Sequence, residues 1–240
     1  MAQHISRKEL KKDEIRETLA HGAEAVISHQ RFAAILVVAA VAVGLAIVGW
    51  RWYSERQTVR ASVALEEAMK IFQARIRAPG SPEEPGELTY VEEKNKYEDA
   101  AKKFSEVARN YSRTRPGQVA RYYAALSHEQ LGRHEQALKE LKELERSAHK
   151  EYAALARFQL AAVYAKTGKL EEAATLLRQL ADKPTALVPR ALVLLSLADQ
   201  LRRSNPEEAV KIYEQIKKDF PKSTLSEEAE KRLETLASKS

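Results

Sequence analysis

Cysteine is absent from this 240-residue chain. Its absence excludes disulfide bonds, thiol nucleophiles and cysteine-ligated metals within the chain. Glycine and proline are also scarce, with 8 of each, while Ala, Leu, Glu, Lys and Arg, which favour helix, are abundant. We therefore expect an all-α fold.

Motifs that cradle phosphates or present catalytic nucleophiles are missing as well. The scattered glycines form neither GxGxxG nor a P-loop, and GxSxG is absent. The 6 histidines, at positions 4, 21, 29, 128, 134 and 149, lack the spacing of a helical metal site, so we interpret them as surface residues. We expect no enzymatic activity, no cofactor and no metal.

A large charge of one sign is lacking too. The 40 Lys and Arg residues exceed the 34 Asp and Glu residues by only 6, and both signs are interleaved along the chain. Nucleic-acid binding usually requires a basic patch, which this balance does not form. We expect no nucleic-acid partner.

One long apolar run stands out, Phe32–Trp50, FAAILVVAAVAVGLAIVGW. As a helix it spans roughly 29 Å, which matches the ~30 Å hydrocarbon core of a bilayer. Aromatic rings and a cation follow it at Arg51, Trp52 and Tyr53, as at a membrane interface. We interpret residues 32–53 as a single transmembrane helix.

Two alternatives to a transmembrane helix stay open for this run. A cleaved signal peptide has a shorter apolar core and a short basic start, whereas a polar segment, residues 1–31, comes first here. A buried core helix of a soluble protein would need an apolar surrounding that the rest of the chain does not supply. Within the run, Ala40 and Gly44 form a small-xxx-small pair through which a homodimer could pack.

The sequence divides into four parts: the N-terminal segment 1–31, the transmembrane helix 32–53, a membrane-exit helix and Pro/Gly loop at 54–94, and a repeat domain at 95–240. Residues 1–31 have a helical pattern from Arg7 onward, with an apolar stripe between positions 10 and 27 that suits either a headgroup-bound helix or a solvated tail.

The charges that flank the span do not decide its orientation. Three Lys or Arg residues lie shortly before it and four lie shortly after it, so the positive-inside rule favours neither side.

Internal repeats predict the fold of the last part. Four helical segments superpose on the alanines Ala100, Ala137, Ala173 and Ala209, at spacings of 37, 36 and 36 residues. This period fits one helical hairpin. We expect the alanines to let paired helices approach closely, and larger residues one turn later to fill the wider gap; these are Phe104, Leu141, Leu177 and Tyr213.

The turns inside the hairpins follow the same period. Gly132 and Gly168, and Asn205 in the last unit, stand where a left-handed residue would end the first helix. Pro206 suits the first turn of the next helix. A helix over Leu225–Ala237 would then cover the last hairpin.

This pattern resembles the tetratricopeptide repeat (TPR), which has small residues at two close-packed positions, a glycine at the turn and a proline near its end. The third unit carries the resemblance best, with Leu160, Ala161, Tyr164, Gly168, Leu170, Ala173, Leu177, Leu180 and Pro184. The resemblance implies an α-solenoid of helical hairpins whose first helices line a concave, protein-binding wall. Alignment of the units places nine residues on this predicted groove: Tyr122, Leu126, Glu129, Phe158, Ala162, Lys166, Leu194, Ala198 and Arg202. The alternative is that these side chains pack against the first helix or the end cap.

The order of features also resembles one bacterial family, the single-span ancillary subunit of the Sec translocon, which belongs to the periplasmic chaperone network. The resemblance rests on the polar start, the span, its exit sequence Gly49–Tyr53, the helix Ala61–Leu65 and the repeats. It implies an inner-membrane protein with a cytoplasmic N-terminus and a periplasmic C-terminal domain. It further implies proteins or peptides of the cell envelope as partners, among them the translocon and periplasmic chaperones.

Three functions are therefore compatible with the sequence. The first is a membrane-tethered scaffold that binds clients or partners. The second is a structural or oligomerisation subunit of a membrane complex without a client-binding groove. The third, a cytoplasmic sensing or signalling role, requires the opposite orientation.

Overall fold

The computed structural model describes residues 7–81, 86–147 and 149–237, without the side chains of residues 7–31 and residue 33. The side chains of the apolar stripe expected between positions 10 and 27 are therefore outside the described part of the structure. The chain divides into two compact units, Met1–Arg56 and Gln57–Ser240.

Helix α1 spans Arg7–Gln73, which confirms the helix expected from Arg7 and its continuation beyond the apolar run. It is long and apolar enough to cross a membrane, with a mean hydropathy of 2.2 in its most apolar window and none of that window buried. The described side chains between Phe32 and Arg56 are all exposed. The apolar run of α1 is therefore not packed in a core among the described residues.

The last turns of α1 belong to the repeat unit and pack on helix α2, Glu93–Asn110. The ring of Phe72 lies 5.6 Å from that of Tyr97, 6.0 Å from that of Phe104 and 5.3 Å from that of Tyr123, centroid to centroid. Ala68 in the same cluster is completely buried. The end of α1 is thus the first helix of the first hairpin.

An insertion replaces the glycine turn of this first hairpin. Two short strands, β1 (Arg75–Ile76) and β2 (Thr89–Tyr90), pair in parallel at its base. The Tyr90 hydroxyl donates to Asp99 Oδ2 at 2.9 Å, and burial together with this bond raises the pKa of Tyr90 to about 12. Strands of two residues have too little pattern to be predicted from sequence. The Pro/Gly loop expected within 54–94 includes residues 82–85, which lie outside the described part of the chain.

The remaining helices follow one another with short connections. They are α3 (Arg115–Gln130), α4 (His134–Glu145), α5 (Lys150–Lys166), α6 (Leu170–Asp182), α7 (Arg190–Leu201), α8 (Pro206–Asp219) and α9 (Thr224–Ala237). Each packs on its neighbours in sequence, and α3 also contacts α5, as α7 contacts α9. This order of local contacts is that of an α-solenoid, as expected.

The four repeat alanines lie at the helix contacts as predicted. Ala100, Ala137, Ala173 and Ala209 are all completely buried. The larger residues one turn later are buried too, with Phe104, Leu141 and Tyr213 at 0% exposure and Leu177 at 3%. Spacing alone therefore identified the close-packed positions.

The hairpin turns agree with prediction at the glycines and differ at Asn205. Gly132 and Gly168 have φ of 67° and 80°, the left-handed conformation. Asn205 was predicted to share it, and that prediction is wrong: its φ is −147°. Its side chain instead accepts a hydrogen bond from the Glu208 backbone N–H at 3.2 Å. Asn205 caps the start of α8, because this bond satisfies an N–H that the helix cannot, and Pro206 follows in the first turn as expected.

We expect Ala173→Leu to lower the free energy of unfolding by about 1–3 kcal/mol, because the added atoms have no space at a fully buried helix contact. Thermal unfolding of the detergent-solubilised full-length chain, followed by circular dichroism, measures the loss. Gln179→Leu, which adds a leucine on the exposed side of α6, is the matched control and should change stability by less than ~0.5 kcal/mol. An Ala173→Leu protein as stable as the control would contradict the close packing.

Candidate functional site

The predicted groove residues lie on the first helices of three successive hairpins. Helix α3 carries Tyr122, Leu126 and Glu129, and helix α5 carries Phe158, Ala162 and Lys166. Leu194 and Ala198 lie on α7, and Arg202 is the residue that ends α7. Helix α3 contacts α5 directly, and Glu129 and Lys166 pair across these two helices.

On α3 and α5 the apolar groove residues are half-buried. Tyr122, Leu126, Phe158 and Ala162 each keep part of their surface accessible. Tyr122 packs against the core cluster that contains Leu160, and burial raises the pKa of its hydroxyl. All four side chains therefore keep accessible apolar surface, and Tyr122 and Phe158 are also held by packing against the core.

On α7 the equivalent residues are inside the core. Leu194 is 5% exposed and Ala198 is completely buried. Both belong to a cluster that also contains Ala229 of α9, and Leu233 of that helix packs against the cluster. Because α9 packs on α7, it covers the face that the sequence predicted to be accessible. At these two positions the packing is against the end cap, one of the alternatives left open by the sequence.

A charged cluster joins two of the predicted residues. The Glu129 carboxylate, whose side chain is 3% exposed, lies 3.0 Å from Lys166 Nζ through Oε2 and 2.7 Å from His134 Nδ1 through Oε1. Glu129 and Lys166 are 37 residues apart, about one repeat period, so equivalent positions on adjacent helices face each other. The contact with His134, which lies five residues after Glu129 across the turn at Gly132, was not predicted.

Arg202 belongs to a second polar cluster, centred on Asp199. Asp199 Oδ1 accepts from the Tyr213 hydroxyl at 2.7 Å and from Arg232 Nε at 3.0 Å, and lies 4.0 Å from Arg202 Nη1. Burial and this hydrogen bond raise the pKa of Tyr213. The cluster joins α7, α8 and α9. Arg202 therefore lies at the edge of this cluster, whereas Asp199, Tyr213 and Arg232 make its bonds between helices, and the repeat alignment did not single these three out.

A further depression lies between α4, α5 and α6, with a volume of about 390 Å³. Leu160, Tyr164 and Leu176 form its apolar part, and Lys142 and Glu145 are among its charged lining. In the described residues no group of three His, Asp or Glu side chains could hold a metal ion. The surfaces found on this unit are apolar with charged edges, which suits contact with a peptide or protein segment.

Comparison with family models decides the family. A model described as a tetratricopeptide repeat-like domain matches residues 29–187, and a tetratricopeptide repeat model matches residues 191–223. This chain belongs to the tetratricopeptide repeat-like family. The first match begins before Phe32 and so includes the apolar segment of this TPR protein as well as its first repeats.

Solved structures agree on the fold. One solved structure is that of nearly identical TPR-like repeats from Podosopora anserina, described as a putative kinesin light chain. It superposes on this chain with a TM-score of 0.54 at 16% sequence identity. The match covers 74% of this chain and 85% of that one. A variant of those repeats gives the same score and identity over 74% and 84% of the two chains. YrrB, described as a TPR protein with an unusual peptide-binding site, is 20% identical over 57% and 68%, with a TM-score of 0.44. Comparison with curated proteins gave no match.

TPR membership makes the repeat unit a protein-interaction scaffold, since stacked hairpins present an extended surface to other chains. On this TPR protein the accessible part of the predicted groove lies on α3 and α5, beside the Glu129 cluster.

We expect Lys166→Ala to lower the free energy of unfolding by about 1–2 kcal/mol, because the buried Glu129 carboxylate then loses one of its two charge-assisted bonds. The loss stays below that of a fully buried pair, since the Lys166 side chain is 58% exposed. Urea unfolding of the full-length chain measures it.

Lys211→Ala is the control, because it removes an exposed lysine on α8 and should change stability by less than ~0.5 kcal/mol. The double variant Glu129→Gln with Lys166→Ala should lose less than the sum of the two single changes, because the pair acts as a unit. Additive losses would show that the two residues do not stabilise each other.

Proposed function

We propose that this TPR protein is an inner-membrane-anchored scaffold whose periplasmic repeats bind the translocon, chaperones or secreted clients. One observation carries the proposal: an apolar helix of bilayer length belongs to the same chain as a TPR solenoid. The first feature suits lipid and the second suits proteins. In this role the protein acts by binding, without catalysis, cofactor or metal.

The properties of α1 support the anchor. Large apolar side chains along the run are 55–69% exposed, among them Ile35, Leu36 and Ile47. A soluble protein rarely exposes so long an apolar stretch, whereas lipid would cover it on every side. At its end the guanidinium of Arg56 lies 3.6 Å from the centre of the Trp52 ring. Such amphipathic pairs are typical of the headgroup region.

The orientation in this proposal comes from the resemblance to the ancillary Sec subunits. Flanking charge is nearly balanced, so the positive-inside rule neither favours nor opposes a periplasmic repeat unit. The exit sequence Gly49–Tyr53 and the helix Ala61–Leu65 support the family resemblance, and with it the translocon and envelope chaperones as partners.

The surface on α3 and α5 supports client binding. Tyr122, Leu126, Phe158 and Ala162 offer apolar area, and the neighbouring Glu129 and Lys166 neutralise each other. A surface of this kind prefers apolar segments, which unfolded clients expose. Weak contacts suffice, because tethering to the membrane raises the local concentration of both partners.

A structural role in a membrane complex is the second candidate, and a specific observation favours it. Leu194 and Ala198 are covered by the cap, which shortens the groove to two repeats. Gly44, in the small-xxx-small pair, has no atom within 4 Å of the position a Cβ would occupy, so a second helix could approach there. In this alternative the repeats act as a spacer or oligomerisation module.

A reporter enzyme fused after the last residue tests the orientation. We expect alkaline phosphatase, which is active only in the periplasm, to be active in this position and β-galactosidase, which needs the cytoplasm, to be inactive. Removing residues 32–50 should reverse both results, because the span is then lost. Cytoplasmic activity of the unaltered fusion would exclude the periplasmic scaffold and favour a sensing role.

Photocrosslinking tests the groove. A photoreactive amino acid at Leu126 or Ala162 should capture translocon subunits, envelope chaperones or secreted clients in living cells. The same probe at Gln179, exposed on the second helix α6, is the control and should capture them far less. Recovery of a second copy of the chain alone would favour the structural role, and equal capture from both sites would contradict a binding groove.

A further inference from the structure

The C-terminal end of the repeat unit carries an apolar groove that is separate from the surface on α3 and α5. It lies between α8 and α9 and has a volume of about 550 Å³. Its apolar lining consists of Pro206, Val210, Leu233, Leu236 and Ala237. Leu233 and Leu236 also pack against the core, so their positions are held from within.

The repeat pattern explains why this groove exists. Helices α3, α5 and α7 are each covered by a second helix, α4, α6 and α8, which brings a buried alanine to the contact. Helix α9 occupies the place of a first helix, and it packs on α8 and α7. The described residues place no second helix on α9. The face of α9 beside α8 is therefore uncovered by the described residues, and it forms one wall of this groove.

The charged lining of this end groove is entirely acidic. The carboxylates of Glu207, Glu214 and Glu234 surround the apolar residues, and no described Lys, Arg or His lines the groove. None of the three has a salt-bridge partner within the described part of the chain. Other carboxylates of α8 and α9 do: Glu208 pairs with Arg178, and Glu230 with Lys217.

We propose that the α8–α9 end groove binds a basic amphipathic helix of a partner protein. Apolar side chains at i, i+3 or i+4, and i+7 would enter between Val210 and Leu236, as in other helix-in-groove complexes. Flanking Lys or Arg would pair with the three carboxylates, which gives the charge complementarity that selects partners. A second copy docked symmetrically through the same groove is disfavoured, because it would bring carboxylates against carboxylates.

A synthetic peptide tests this directly. The probe is a fluorescein-labelled helix of about 16 residues with Leu at i, i+4 and i+7 and Lys at the flanking positions, long enough to be helical when bound. Fluorescence anisotropy measures its Kd for the full-length protein in zwitterionic nanodiscs, with empty nanodiscs as background. We expect binding in roughly the micromolar range. A peptide with every Lys replaced by Glu should not bind.

Matched variants distinguish binding in the end groove from nonspecific electrostatic attraction between the basic peptide and the protein surface. The triple change Glu207→Gln, Glu214→Gln and Glu234→Gln should weaken binding about tenfold, since three exposed ion pairs are lost. Replacing three exposed glutamates elsewhere, Glu92, Glu106 and Glu135, by Gln removes the same charge and should change binding less than about twofold. Equal weakening by both triples would overturn the proposal.

The apolar lining has its own pair of variants. Leu236→Ser should weaken binding about fivefold, because a buried leucine contact is lost from the interface. Leu187→Ser, at a leucine 48% exposed in another loop, should leave binding unchanged. Thermal unfolding verifies that both variants fold. If the protein instead self-associates in analytical ultracentrifugation and Leu236→Ser abolishes this, the occupant is a second copy and the proposed partner is wrong.

Discussion

Close packing of helices at four buried alanines organises the repeat unit. Ala100, Ala137, Ala173 and Ala209 are completely buried, each on the second helix of its hairpin. A helix pair with alanine at the contact approaches more closely than one with a larger residue, and the neighbouring large side chains then fill the wider space one turn away. The spacing of 36 or 37 residues repeats this geometry along the chain. The stacking of the hairpins, and hence every surface on them, depends on it.

Ion pairs link helices of successive hairpins, which the buried alanines allow to pack closely. Glu129 and Lys166 connect α3 with α5, Arg178 and Glu208 connect α6 with α8, and Asp199 and Arg232 connect α7 with α9. In each case the partners are 30–37 residues apart, so the bond links successive hairpins. Because the buried Glu129 carboxylate is paired within the protein, it adds no unpaired charge to the proposed client surface on α3 and α5. The proposed preference for apolar client segments follows from this neutralisation.

The two ends of the solenoid differ for a physical reason. At the first hairpin, Phe72 fills the space between α1 and α2 with its ring. At the last, α9 covers the core of α7 but keeps the outer sides of Leu233 and Leu236 accessible. A cap usually ends a solenoid with a polar face. Here the apolar part of that face, surrounded by carboxylates, is what makes it a candidate for a second interaction.

The sequence by itself determined the secondary structure of most helices, the repeat period, the buried alanines and the left-handed glycines, because these depend on local spacing and on the φ that glycine allows. It also determined that α1 is apolar enough to cross a bilayer. The cap that Asn205 forms on α8 is also local, because its side chain bonds to Glu208 three residues on. Only the tertiary structure decided that Phe72 completes the first hairpin, that Glu129 meets Lys166, and that Leu194 and Ala198 lie in the core beneath α9. These outcomes depend on how helices distant in sequence pack against one another. An alignment of the repeat units gives equivalent positions the same role, so it cannot distinguish the first helix of an internal repeat from one that a cap covers.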